Sequence, residues 1–441
     1  MKMKQLNVIL SLVLIMFMSA IETTIVSIAL PTMRKDLHPD VSIAFVFTIY
    51  FIGIVVAIPF MSELMSRIKI RTITLVGLGF FIGGSLLAGF SKSFEILLLS
   101  RFIQGVGAGI NMSLAQIVPK LAFEIPFRYK VMGIVGSVWG ISSIIGPFIG
   151  GLILEWSTWH WLFFINVPIG AVATILVIIS YQFNSETIEK RVVDYIGILL
   201  FYVFIGLLMW IVMTFQMNWF YVIFIGLLIL YSLGLKRYFK SKMHAFISVN
   251  EFTPLIRLAF ITDIFIAMIL IGFNVFIPSY LQDELHFSPL ESGLIIFPLS
   301  VGWLLINFMM DYVDKRLSIK LFYLTLIGFL FLASLSVMMN VNHPICIAIT
   351  VFFAGMGFGS AYTKDSVLVQ EGVSQGQLKK MMSLFTLNRN LGNAIGSAIM
   401  GTVYSISISF IHVPIQHVMA LVMLMLALLW AIWQLQRPNF K

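Results

Sequence analysis

Fourteen apolar runs, each about twenty residues long, divide this 441-residue chain. That is the length a helix needs to cross the hydrocarbon core of a bilayer. The runs lie near 7–31, 42–65, 72–90, 95–118, 131–154, 161–183, 193–214, 218–235, 255–280, 290–312, 318–339, 344–363, 382–410 and 414–435. In lipid every backbone amide must find a partner within the protein, so unbroken runs of this kind form helices. A transmembrane barrel would show alternating segments of about ten residues instead. Only 11% of the residues are charged and 60% are hydrophobic, against about 25% and 45–50% in soluble domains. These figures exclude a soluble globular domain, a disordered chain and a nucleic-acid binder with a basic face. The fold class that follows is an all-α polytopic membrane protein with 14 transmembrane helices.

The net charge is +9, and its distribution is that of an orientation signal. With fourteen spans both termini lie on one side. If that side is the cytoplasm, 23 of the 28 Lys and Arg fall in cytoplasmic segments. Arg34, Lys35 and Lys92 are then outside, and Arg101 and Arg389 lie within helices. Positive residues favour the cytoplasmic side and its anionic lipid, so no nucleic-acid partner is implied. The single Cys346 excludes an intramolecular disulfide and is expected to be a small buried hydrophobe. The first run is too long for a cleavable signal peptide and carries Glu22 in its middle.

The chain repeats internally. Gly105, Gly107 and Gly109 in span 4 recur 250 positions later as Gly355, Gly357 and Gly359 in span 12. Leu30-Pro31 closes span 1 and Ile277-Pro278 closes span 9. The expected organisation is a six-helix bundle over 1–190, an inserted helix pair with its cytoplasmic connection over 191–254, and a second six-helix bundle over 255–441. Parallel six-helix repeats related by an axis along the membrane normal are a transporter architecture. The connection from Lys236 to Thr253 interleaves basic residues with Phe239, Met243, Phe246 and Ile247. It reads either as a short amphipathic helix on the inner leaflet or as a basic tether.

Two motifs are more specific. Span 4 reads Leu97-x-x-x-Arg101-x-x-Gln104-Gly105-x-Gly107-Ala108-Gly109. An arginine inside a membrane is costly and normally faces protein or water, while the glycines after it permit close helix approach. Span 5 carries Gly136, Gly140, Ser143, Gly146, Pro147, Gly150 and Gly151, a small-residue face that Pro147 can kink. These segments resemble motifs B and C of the major facilitator superfamily, motif C marking its antiporters. Glu22-Thr23-Thr24 through Leu30-Pro31, Trp159-His160-Trp161 through Gly170, Pro278-x-Tyr280-Leu281-Gln282 and Arg389-x-Leu391-Gly392 are similar to the fourteen-helix drug:proton antiporter branch of that family. The branch usually has Asp where this chain has Glu22. Motif A is degraded: Ser62, Ser66 and Lys69 replace its first Gly, its Asp and its second Gly, while Leu64, Arg67 and Arg71 remain. The second repeat keeps an acid at Asp311. The resemblance implies a major facilitator fold with Arg67, Arg71 and Asp311 as gating residues.

The remaining candidates are charges inside the membrane, each a functional hypothesis by default. At 1.5 Å per residue, Glu22 lies ~22 Å from the inner end of span 1 and Arg101 ~9 Å from the outer end of span 4. These depths are comparable, and the resemblance implies that helices 1 and 4 both line the central cavity, so the two are expected to share one wet site. Asp263 and Arg389 lie ~12 Å and ~10 Å from the inner face and form a second candidate pair. A buried carboxylate that takes either a proton or a cationic drug is the physical core of antiport. The function implied is export of small amphipathic, often cationic, drugs from a plasma membrane, coupled to H⁺ or Na⁺, by a monomer surrounded by lipid and needing no cofactor. His38, His160, His244, His286, His343, His412 and His417 show no metal-ligand spacing, and no GxxxxGK[ST] loop points to ATP. Uptake or exchange of one specific small metabolite is the competing transport reading. A membrane-embedded enzyme on lipid-linked substrates would need an acidic, His or metal-binding cluster that the sequence does not display. The topology is checked by cysteine labelling of intact cells: positions 35 and 286 react from outside, and positions 240 and 379 do not.

Overall fold

A computed structural model describes residues 3–115, 117–124, 127–182, 194–214, 219–242, 245–247, 249–373, 378–405 and 413–435. The side chains of Ser62, Ser66, Ser143, Asp311 and Lys379, and the whole of Met243, His244 and His412, all singled out above, lie outside the described part. The described residues are mainly helical: α1 (Met3–Leu37), α2 (Phe45–Arg67), α3 (Ile70–Gly89), α4 (Phe94–Ala115), the short α5 (Val118–Ala122), α6 (Phe127–Trp156), α7 (Trp161–Ser180), α8 (Tyr195–Thr214), α9 (Trp219–Ser241), α10 (Pro254–Asp283), α11 (Pro289–Asp314), α12 (Ile319–Met339), α13 (Pro344–Glu371), α14 (Leu378–Ser405) and α15 (Pro414–Gln434).

Local sequence sets the helix starts. Pro occupies the first position of α10, α11, α13 and α15, where its missing amide is not needed. Thr253 caps α10 by accepting from the Ile256 amide, and Ser318 caps α12 by accepting from Leu321. Ahead of α11, Ser288 and Glu291 cap one another reciprocally, the Ser288 amide donating to Glu291 at 2.8 Å and the Glu291 amide to Ser288 Oγ at 3.2 Å. Within α10, Gly272–Phe276 forms a π-helical turn.

Ten described helices are long and apolar enough to cross a membrane, and α6, bent by 41°, makes up to eleven. Pro147 accounts for the bend, since it removes an amide from the helical ladder. Two long helices fall short of that standard because of their polar residues: α4 carries Glu95, Arg101 and Gln104, and α14 carries Lys379, Lys380 and Arg389. In α2 the stretch Phe45–Met61 is apolar.

The repeated glycines pack equivalently. A Cβ at Gly105 would strike the Tyr50 carbonyl and one at Gly355 the Leu299 carbonyl. At Gly109 it would lie 2.8 Å from the Ile54 carbonyl, and at Gly359 2.9 Å from that of Trp303. Gly107 abuts Phe81, and Gly357 abuts Leu330. Leu299, Trp303 and Leu330 each stand 249 positions after Tyr50, Ile54 and Phe81. His38 and His286, also near this offset, are the non-glycine residues with positive φ among those described, 44° and 57°. Helices α4 and α13 therefore meet their neighbours backbone to backbone.

Helices before and after the α8–α9 pair meet at the end where α1 turns into α2. Arg34 pairs with Asp283, Gln282 donates to the Ile28 carbonyl at 2.9 Å, and the Thr48 and Ser397 hydroxyls bond at 2.7 Å. A small cavity of about 70 Å³ remains there, lined by Leu30, Arg34, Ser42, Phe276, Ser279 and Tyr404 among others.

Two expectations are corrected. Cys346 is exposed, because the first turn of α13 turns Ile345 and Cys346 outward and Ile347 inward. An amphipathic surface helix is not what the described part of the 236–253 connection forms. Helix α9 runs on to Ser241, and the rest holds one 3₁₀ turn, Val249–Glu251. Its aromatics pack inward: Phe239 is buried and Phe246 lies 5.6 Å from Phe201, ring to ring. Asp194, just before α8, gathers this segment by accepting from Tyr238 Oη (2.7 Å) and the amides of Gly197 (2.9 Å) and Phe246 (3.2 Å), with Lys242 at 3.7 Å. Burial pushes its carboxyl up, and these donors together outweigh burial and hold it below the usual range.

The glycine packing is tested by thermal unfolding of detergent-purified variants. Gly105→Ala and Gly355→Ala each lower the midpoint, at a cost of about 1–3 kcal/mol from overpacking. Gly79→Ala, where a Cβ meets open space, leaves it unchanged or raises it.

Candidate functional site

Glu22 sits in an unbroken stretch of α1, where Thr23, Thr24 and Ser27 return their hydroxyls to carbonyls one turn earlier at 2.8–3.0 Å. These hydroxyls are thereby satisfied without competing for the carboxylate. Glu22 Oε1 accepts from Arg101 Nη1 of α4, and Glu22 Oε2 accepts from Asn166 Nδ2 of α7 at 2.7 Å. Arg101 also donates through Nη1 to Gln104 Oε1 at 2.5 Å and through Nε to the Val46 carbonyl of α2 at 3.2 Å. Its guanidinium carbon lies 4.2 Å above the Tyr50 ring and 5.7 Å from that of Phe163. Gln104 donates in turn to Ser85 of α3 at 2.9 Å.

The Arg101 side chain is 0% exposed and that of Glu22 is 1%. The expected pairing is therefore present, with both side chains enclosed by protein. A buried pair holds only if its remaining donors and acceptors are occupied. Two groups beside it, Arg101 Nη2 and Asn166 Oδ1, have no hydrogen-bond partner among the described residues. One donor and one acceptor are what a small polar guest requires.

The second pair is built from the same parts. Arg389 of α14 reaches Asp263 Oδ1 of α10 through Nε at 2.9 Å and Nη2 at 2.7 Å. Asn388 donates to Asp263 Oδ2 at 3.2 Å, and the guanidinium lies 3.9 Å above Tyr362 and 5.1 Å from Phe385. Each arginine thus has one carboxylate, one nearby asparagine and two aromatic faces, which strengthen a desolvated cation's hold. Asp263 is fully buried, whereas the Arg389 side chain is 30% exposed.

The small residues of α6 form two stripes rather than the single face expected, because their spacing places them on different sides of the helix. Gly146 and Gly150 pack against Thr24 and Ile25 of α1. Gly140 and Gly151 pack against Leu304 and Leu290 of α11, where Pro147 also meets Gly293. Gly136 faces open space. Of the proposed gating residues, Arg67 donates to Tyr195 Oη of α8 at 2.9 Å, Arg71 is half-buried, and the Asp311 side chain is outside the described part. Neutral partners Gln104, Asn166 and Asn388 went unnoticed as site residues in the sequence, as did Asp365, a fully buried carboxylate on α13. Their signal is modest: a polar side chain in an otherwise apolar run.

The family model described as Major Facilitator Superfamily matches residues 12–397. The chain is 47% identical over 437 residues to the multidrug efflux pump SdrM of Staphylococcus aureus (strain N315), covering 98% of each. It is 28% identical to multidrug resistance protein 3 of Bacillus subtilis (strain 168), covering 90% of this chain and 79% of that one. Among solved structures, the D-xylose-proton symporter superimposes with a TM-score of 0.70 at 12% identity, covering 99% of this chain and 98% of that one. The nucleoside transporter NupG gives 0.67 at 14%, covering 98% of each. At such identities these structures speak to the fold alone.

The enclosed pair makes a specific thermodynamic prediction. Glu22→Gln and Arg101→Gln each leave a buried ion without its counter-charge, a loss of about 3–5 kcal/mol. The double variant removes both charges and recovers part of the lost thermal midpoint. A double variant whose loss equals the sum of the two singles would mean that the charges are not coupled.

Proposed function

The chain belongs to the Major Facilitator Superfamily, and from that premise we propose that it is an antiporter exporting amphipathic, often cationic, drugs by alternating access, driven by H⁺ or Na⁺. The observation that carries this reading is the enclosed Glu22–Arg101 pair in a chain 47% identical to a multidrug efflux pump. Glu22 accepts a proton or sodium ion in one state and attracts a drug cation in another. It does not hold both favourably, because two positive charges beside Arg101 repel. Arg101, tied to four helices, transmits a change at Glu22 to the packing of α1, α2, α4 and α7. The two second-half residues Asp263 and Arg389 serve the same transport cycle.

In this reading all the long helices cross the membrane. Helix α2 and the more polar α4 and α14 join the other eleven to give fourteen spans. The bundles cover 1–190 and 255–441, with 191–254 as the inserted pair and its connection. Both termini face the cytoplasm of a plasma-membrane protein, as the Lys and Arg distribution supports. The Arg34–Asp283 contact then lies at the outer face and closes the carrier there. Arg67, Arg71 and Asp311 act at the inner gate, and the glycines and Pro147 of α6 form the antiporter seam. The carrier works as a monomer in lipid, with the coupling ion as its energy source and no cofactor.

The test is dye efflux from cells and everted vesicles under imposed proton or sodium gradients. Glu22→Gln abolishes gradient-driven efflux of cationic dyes, and Glu22→Asp retains part of it, both measured against the amount of inserted protein. A Glu22→Gln carrier that still concentrates a cationic dye against its gradient, with normal pH dependence, moves the coupling role elsewhere.

A further inference from the structure

A second carboxylate is buried in the half that holds the Asp263–Arg389 pair. Asp365 of α13 is fully buried. Its Oδ1 accepts the Tyr323 hydroxyl of α12, and its Oδ2 has no hydrogen-bond partner among the described residues. Tyr323 is itself held in place. Its ring stacks on Trp433 at 4.1 Å and 14°, and the Trp433 indole donates to Thr262, the neighbour of Asp263, at 3.0 Å.

Among the described residues, Asp263 and Arg389 are the charged groups whose fields reach Asp365. Tyr362 is buried under Arg389. Lys364, the adjacent residue, projects about 100° away around α13 and has an interaction of its own. Arg389 Nε donates to Asp263 Oδ1, and Nη2 lies 2.7 Å from the same oxygen but has no hydrogen-bond partner among the described residues. One guanidinium therefore faces two carboxylates and is engaged with one of them. A second ionised carboxylate without a counter-ion in this interior costs several kcal/mol, and a bound proton removes that cost. Sodium fits less well, since a hard cation takes about six oxygens and the described oxygen on Asp365 is the Tyr323 hydroxyl. No group of three or more metal-binding side chains occurs among the described residues.

We propose that Asp365 is a proton-carrying site in the second half of the molecule, protonated while Arg389 is engaged with Asp263. When Arg389 turns to Asp365, the carboxylic O–H bond breaks and the proton passes to water. The carboxylate left behind is met by the guanidinium, whose charge is unchanged. Asp263 is then the acid without a counter-ion and is free to take a cation. This site is additional to Glu22 and does not depend on the role given to Glu22.

Infrared difference spectroscopy of the purified full-length protein in detergent, with ¹³C-labelled aspartate carboxyls, tests it. At neutral pH the wild type shows the carbonyl stretch of a protonated aspartic acid. Asp365→Asn abolishes that band, Tyr323→Phe shifts it, and Glu22→Gln leaves it in place. Asp263→Asn also abolishes it, because Arg389 then has Asp365 as its partner. This response separates a proton site from a merely structural acid. Should Asp365→Asn fail to fold, the Tyr323→Phe and Asp263→Asn spectra carry the test. A wild type without the band, a band that survives Asp365→Asn or Asp263→Asn, or one lost on replacing choline chloride with sodium chloride at fixed pH overturns the assignment.

Discussion

A guanidinium cannot leave water unless the protein supplies what water supplied, and Arg101 shows how much of the first half is arranged to do so. Its side chain is wholly buried in a segment read as crossing the membrane. One carboxylate cancels the charge, a glutamine and a backbone carbonyl take donors, and Tyr50 offers its ring face. These partners come from α1, α2 and α4, and through Asn166 the arrangement reaches α7. Such an arrangement is bistable by nature. If Glu22 loses its charge, Arg101 must find another anion or rearrange its helix contacts, because the burial penalty far exceeds thermal energy.

The repeated glycines make that enclosure possible. At Gly105 and Gly355 there is no room for a Cβ against the neighbouring carbonyl. Helix α4 is thus pressed onto α2, which brings Arg101, one turn before Gly105, within reach of Val46 and Tyr50. Close approach in lipid gains little from hydrophobicity, since the tails are as apolar as the side chains, and depends on packing and polar contacts. Glycine packing and the ion pair therefore support one another. The second half repeats the packing, but its arginine sits on α14 and not on α13, so the charges do not follow the repeat.

How far the sequence revealed this depends on how expensive each residue is in a membrane. Glu22, Arg101, Asp263 and Arg389 stood out because charges in apolar runs are costly, and helix periodicity with run direction placed each pair at matching depth. Asp365 did not stand out. The twelfth apolar run was placed at 344–363, ending just before Lys364-Asp365, whereas α13 continues to Glu371. A carboxylate beside a lysine at the end of a run reads as solvated until the longer helix buries it. Asn166, Gln104 and Asn388 are neutral and carry too small a penalty to be noticed. Cys346 failed for a different reason. Apolar residues of a membrane helix gain as much from facing lipid as from facing protein, so hydrophobicity does not say which way a residue in the first turn points. The 236–253 connection was ambiguous because a basic, aromatic segment suits both a lipid surface and a protein groove, and the Asp194 clasp decides for the groove.

The two halves differ in charge balance, and the difference bears on which one responds first. In the first half one acid meets one arginine, and both side chains are closed off from solvent. In the second half Asp263 holds Arg389, whose side chain is 30% exposed, and Asp365 is a further buried acid. A balanced, enclosed pair resists change until something of comparable charge arrives. A deficit beside a partly exposed cation can be adjusted by one proton and a side-chain rotation. The physical expectation is a division of labour. In the proposed transport cycle, the first half would hold its state firmly and switch when its ion pair is broken, while the second half would set how much charge is carried in each state.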